Sequence, residues 1–168
     1  MASVAPPARK SLIDRWLPDR VLGALAWALL AVVIFAVARG HDEWDRVSRA
    51  VWFHLGTIAV VLALTPVMLT RRKGDRRHRQ LGWIWAASMC ATALFSLVIR
   101  PFSGWIFSPI ALLSIWALIL VPRLILQARA HDVVRHRSTV RGLVIGALLI
   151  AGFFTFPFNR MLGQWLFG

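Results

Sequence analysis

Five apolar stretches, none containing Asp or Glu, dominate the chain: Val21–Ala38, Ala50–Leu69, Leu81–Ile99, Trp105–Leu126 and Gly142–Phe158. At a rise of about 1.5 Å per residue, each approaches the length that crosses a hydrocarbon core about 30 Å thick. Backbone groups in lipid have to pair within their own segment, so such stretches are helices. A transmembrane barrel would need alternating strands of about ten residues, and no such alternation occurs. The predicted fold is all-α. It is a polytopic transmembrane helix bundle of five spans over residues 21–168, preceded by a basic cytoplasmic tail, residues 1–20.

Composition excludes the alternatives. The chain is 58% apolar and 16% charged, against roughly 45–50% and 25% in a soluble domain. That excess of apolar residues also excludes disorder. A disulfide scaffold is excluded because Cys90 is the only cysteine. At 168 residues the chain is too short for a multidomain enzyme.

The basic residues set the expected orientation. Arg9, Lys10, Arg15 and Arg20 precede the first span. Arg71, Arg72, Lys73, Arg76, Arg77 and Arg79 follow the second, and Arg123, Arg129, Arg135, Arg137 and Arg141 flank the fourth and fifth. These three groups share one face; Arg39, Arg46, Arg49, Arg100 and Arg160 are left for the other. The imbalance predicts N-in, C-out topology. Such charge, in short loops beside spans, reflects topology and anionic lipid rather than nucleic-acid binding.

Tryptophans support the same registration. Trp16, Trp83 and Trp85 fall near the inner interface and Trp44, Trp52, Trp105 and Trp165 near the outer one, with Trp27 and Trp116 inside spans. Ser11–Leu17 carries an apolar stripe (Leu12, Ile13, Trp16, Leu17) that reads as a short interfacial helix ended by Pro18. Ala36-Val37-Ala38 resembles a signal-peptidase site, but the apolar run exceeds the 7–15 residues or so of a signal core, so an uncleaved span is expected.

Histidines are the residues with ligand or proton chemistry. His78 and His136 each stand just before a span running inward to outward, which places both at similar depth on the cytoplasmic side. Gly82 lies one turn deeper than His78 on the same helix face and leaves room for a flat ligand or a neighbouring helix. Two imidazoles at equal depth on different helices suit a six-coordinate haem iron; their position at the membrane edge, outside the spans, favours interfacial polar residues bonding headgroups and loop carbonyls. His54 sits a turn inside the outer end of the second span, and should face the bundle and find a partner there. Arg100, Ser103, Thr155 and Asn159 are the candidates at that level. Arg100, Arg123 and Arg160 read as snorkelling cations, or as partners for an anionic ligand. Gly142 and Gly146 form a small-xxx-small packing pair. Phosphate-binding, zinc-protease, CxxC and nucleophile-elbow motifs are lacking, and no catalytic residue or metal site is assigned. The lack of acids within spans also argues against transport.

His54-Leu55-Gly56 opening one span, a basic loop, His78-Arg79-x-x-Gly82 opening the next, His136-Arg137 opening the last, and a late Arg160 together resemble the bacterial predicted-membrane-protein family "domain of unknown function 2306". The likeness covers residues 50–165. Where that family tends to continue with Trp-Met-x-Arg after the last pair, this chain reads Ser138-Thr139-Val140-Arg141 and keeps the arginine. The resemblance implies a multi-pass protein of the bacterial inner membrane with no established activity. Two functional readings follow. One is a non-enzymatic accessory, assembly or lipid-contacting subunit, in contact with membrane lipids and with a larger complex or a second copy. The other is a haem b or quinol-linked electron carrier using His78 and His136, with Gly82 and His54 as further contacts.

Overall fold

A computed structural model of the chain describes residues 17–99, 109–157 and 160–168. Among these, all regular structure is helical. Helix α1 (Asp19–Arg39) begins after Pro18, with Asp19 as an acid in its first turn and Arg39 as a base in its last, both complementing the helix dipole. A 3₁₀ turn, His41–Arg46, leads to α2 (Arg49–Thr70), whose cap Ser48 accepts from the Val51 N–H. Gly74, at φ +89°, turns the chain into α3 (Arg76–Ile99). Asp75 caps α3 through its Oδ1, 2.6 Å from the His78 nitrogen. Helix α4 (Pro109–Arg129) opens on a proline, which lacks the N–H a first helical residue would leave unpaired. His131, in left-handed backbone at φ +57°, and the cap Asp132 then reverse the chain into α5 (Val133–Gly142).

Helix α5 continues without a break into a π-helical stretch, Leu143–Ile150, and a final turn α6 (Ala151–Phe153). The fifth apolar segment therefore differs from expectation at both ends. Its helix starts at residue 133 rather than 142, and it stops at 153, where the Thr155 hydroxyl bonds back to the Gly152 carbonyl at 2.6 Å. A short helix, α7 (Met161–Phe167), follows. Among the described residues four helices, α1 to α4, are long and apolar enough to cross a membrane. The interfacial helix expected at Ser11–Leu17 lies outside the described residues except for Leu17.

Each long helix packs on the next in sequence, and the π-helical stretch returns to α1, closing a ring. Leu22, Leu62, Met89, Val121, Leu143 and Leu148, all nearly or fully buried, form its centre. Outward-facing side chains are large and apolar: Trp27, Phe35, Phe53, Leu94, Val98 and Leu126 are each more than half exposed. Only 22–28% of the apolar stretch of each long helix is buried. A surface of that kind matches lipid and is foreign to water, and the chain is a helical protein of multi-pass membrane type.

Polar groups join α2 to α3 along the ring. Trp85 Nε1 donates to Thr65 Oγ1 at 2.9 Å, and the Thr92 hydroxyl donates to Thr57 Oγ1 at 2.8 Å. Trp85 is thus a buried core residue rather than part of an interfacial belt, because Thr65 supplies its indole with a partner inside the bundle. Trp165 is likewise buried, donating to Glu43 at 3.0 Å and covering Gly40, where a side chain would have no room. Trp16 and Trp105 lie outside the described residues. The Gly142/Gly146 pair receives the ring of Trp116: a Cβ at Gly146 would lie 2.8 Å from it, and one at Gly142 3.6 Å.

Candidate functional site

At the end of the ring bearing the α2–α3 turn, one carboxylate gathers three cations. Asp19 bonds Arg141 at 2.5 Å, Arg137 at 3.1 Å and Lys73 at 3.3 Å. Arg141 is buried, 6% exposed, and also donates to the Leu17 carbonyl at 2.6 Å. The cluster ties the start of α1 to the α2–α3 loop and to α5. Nothing in the local sequence marks Asp19, one of several acids among the arginines of this face, as its centre.

His78 and His136 occupy this same end, both half-buried. His136 Nδ1 lies 3.1 Å from the Leu124 carbonyl. A carbonyl can only accept, so Nδ1 carries the hydrogen and the lone pair is left on Nε2. His78 Nδ1 is buried without a hydrogen-bond partner. Gly82 faces Met68 of α2, and a Cβ there would stand 3.5 Å from the Met68 methyl, an ordinary contact. Asp75, just outside α3, has its carboxyl held below the ordinary 3.8, first by the His78 N–H and then by the Arg71 guanidinium.

His54 belongs to the opposite end. Sixteen residues of α2 separate it from Thr70, roughly 24 Å along the axis, so it joins no common site with His78 and His136. Its ring faces α3, with Nδ1 3.0 Å from the Thr92 carbonyl. The inward orientation agrees with expectation, and the partner at Nδ1 is a backbone carbonyl. Arg100, Ser103 and Asn159 lie outside the described residues; the Thr155 hydroxyl is turned to Gly152 instead.

A partly open cavity of about 430 Å³ reaches from this end toward mid-bundle. Its wall is mostly aliphatic and comes from α1, α2, α3, α4, the π-helical stretch and α7. The polar side chains on it are His54, Thr92, Ser96, Ser114, Thr155 and Arg160. Neither His78, Gly82 nor His136 lines it. Arg160 stands at the head of α7, whose Met161 and Leu162 close over the cavity's end. Arg39 Nη1 holds α7 through the Leu166 carbonyl at 3.2 Å.

The fold and cavity define a helical membrane protein with a partly open, small-ligand-sized space, within the roughly 300–1,000 Å³ that such sites span. Comparison with known protein families, curated proteins and solved structures finds no match for this chain.

Proposed function

We propose that this chain is a five-span protein of the bacterial inner membrane, N-terminus inside and C-terminus outside, acting as a non-catalytic, lipid-contacting accessory or assembly subunit. Kinship with the domain of unknown function 2306 family is part of the same proposal, as is association with a larger membrane complex or a second copy. The cavity carries the reading: a space walled by aliphatic side chains inside a ring whose outer surface is itself apolar suits a guest from the bilayer. Retention of lipid tests it. Protein purified in mild detergent and stripped by repeated washing should keep a defined lipid species near one per chain by native mass spectrometry. A chain that sheds all lipid evenly would end the reading.

A second reading, a haem b carrier, is favoured by one observation. His136 is oriented by Leu124 so that its Nε2 is available, and His78 stands at the same end of the bundle. Haem would supply one-electron chemistry; the two histidines would hold it. A Soret band lost in both His78→Ala and His136→Ala supports this reading. A colourless preparation from haem-replete cells sinks it.

A further inference from the structure

Most hydroxyl hydrogens on the cavity wall are committed within the helices. Thr92 donates to Thr57, Ser114 to the Ile110 carbonyl at 2.9 Å, and Thr155 to the Gly152 carbonyl. Two lining side chains differ. His54 gives its Nδ1 hydrogen to the Thr92 carbonyl, so Nε2 keeps a lone pair, and it has no partner among the described residues. Ser96 stands one turn beyond Thr92 on the same face of α3, and its hydroxyl is also without a partner among the described residues. A helical serine commonly turns to the carbonyl four residues back; here that carbonyl, of Thr92, already receives His54. One wall therefore offers an acceptor nitrogen and a hydroxyl that can donate.

The rest of the space is apolar. Leu62 lies two turns deeper than His54 along α2, about 12 Å, and Met89 and Leu148 are buried on the same wall. The described lining residues include no Phe or Trp, although the chain has ten and nine of them, so a ring would find no aromatic face to stack on. At about 430 Å³, near the lower end of the roughly 300–1,000 Å³ of small-ligand sites, there is room for one slender chain.

A fitting head has to give a proton to Nε2 and take one from Ser96. An alcohol does both with a single oxygen. An ether or an ester takes but has nothing to give, and the same holds for a carboxylate or a phosphodiester at neutral pH. An ammonium gives but cannot take, and no Asp or Glu among the described lining residues receives its charge. Arg160 is engaged within the protein, and the site asks nothing of it.

We propose that the cavity binds a single-chain lipid alcohol drawn from the bilayer. Its hydroxyl donates to His54 Nε2 and accepts from Ser96 Oγ, and its chain lies along Leu62, Met89 and Leu148. This proposal rests on the lipid-contacting reading above and names the lipid.

The probe is hexadecanol carrying a diazirine on its chain, added to the full chain in nanodiscs and irradiated. Labelled peptides should map to α2, α3 or the π-helical stretch. Unlabelled hexadecanol should suppress labelling at about fivefold lower concentration than hexadecyl methyl ether, the ratio expected for one neutral hydrogen bond. His54→Leu should erase that ratio, whereas Ser96→Ala should weaken both competitors and keep it. The competition series on the unaltered protein needs no variant to fold. Labelling confined to the outer surface, or stronger competition by palmitic acid or by a short-chain ubiquinol, overturns the proposal. Cavity labelling with equal competition by alcohol and ether ends it and leaves the lipid-contacting reading standing. Loss of all retained lipid together with failure of labelling ends both.

Discussion

Asp19 illustrates how much a single side chain holds in this protein. Its partner Arg141 is buried, and removing one member of such a pair strands the other charge at a cost of about 3 kcal/mol or more. Asp19→Ala should lower the unfolding free energy in detergent by about that amount, whereas Lys73→Ala, at a half-exposed position, should cost about 0–1 kcal/mol. Similar losses for the two would refute this ranking. Asp75 makes a pH-dependent contribution. Because its folded value is depressed, its stabilisation is present above the ordinary 3.8 and fades as pH falls through the lower folded value. Thermal melts of the wild type and Asp75→Asn should therefore differ at pH 6 and converge in strong acid. A gap that widens on acidification would contradict the capping role. Of these residues, His78 and His136 were legible in the sequence, since both open spans running the same way. Asp19 was not. Its role appears only when residues 54 and 122 positions away arrive beside it.

Among the elements, the long helices follow directly from hydropathy and length, because α1 to α4 needed only enough apolar residues to be recognised. The π-helical stretch did not. Leu143–Ile150 is apolar at nearly every position, so no periodicity distinguishes an i→i+5 pitch from an i→i+4 one. Trp85 departs from expectation for a related reason: indole favours the interface in general, and only the Thr65 hydroxyl across the helix pair makes its burial cheap. The packing of Trp116 on this element gives a graded test. Gly146→Ala should destabilise by about 1–3 kcal/mol through overpacking, and Gly142→Ala by much less, since its Cβ would sit at ordinary contact distance. Trimming the ring with Trp116→Leu should relieve the Gly146→Ala penalty. If the double variant is merely additive, the ring is not the obstacle. At α7, a Cβ on Gly163 would run into the Phe156 carbonyl. Gly163→Ala should loosen α7 and raise amide exchange there while α1 to α4 stay protected.

For the whole molecule, the outward apolar surface and the ring closed by α1 and the π-helical stretch belong to one arrangement: polar side-chain bonds between helices inside, large apolar side chains outside. The expected sidedness can be read with reporters. A reporter after Gly168 should be active only outside the cytoplasm, and one inserted at Gly74 only within it. The reverse pattern would overturn the N-in assignment.

The Asp19 cluster also imposes an order on synthesis. Asp19 leaves the ribosome 54 residues before Lys73 and 122 before Arg141. At about 5–20 residues per second, its buried partner is roughly 6–24 seconds away. Through that interval the opening helix can sit in the bilayer, but its carboxylate stays in water. Only when α5 arrives does Asp19 gain its buried partner, so a product that stops short of residue 137 leaves Asp19 with Lys73 alone of its three cations.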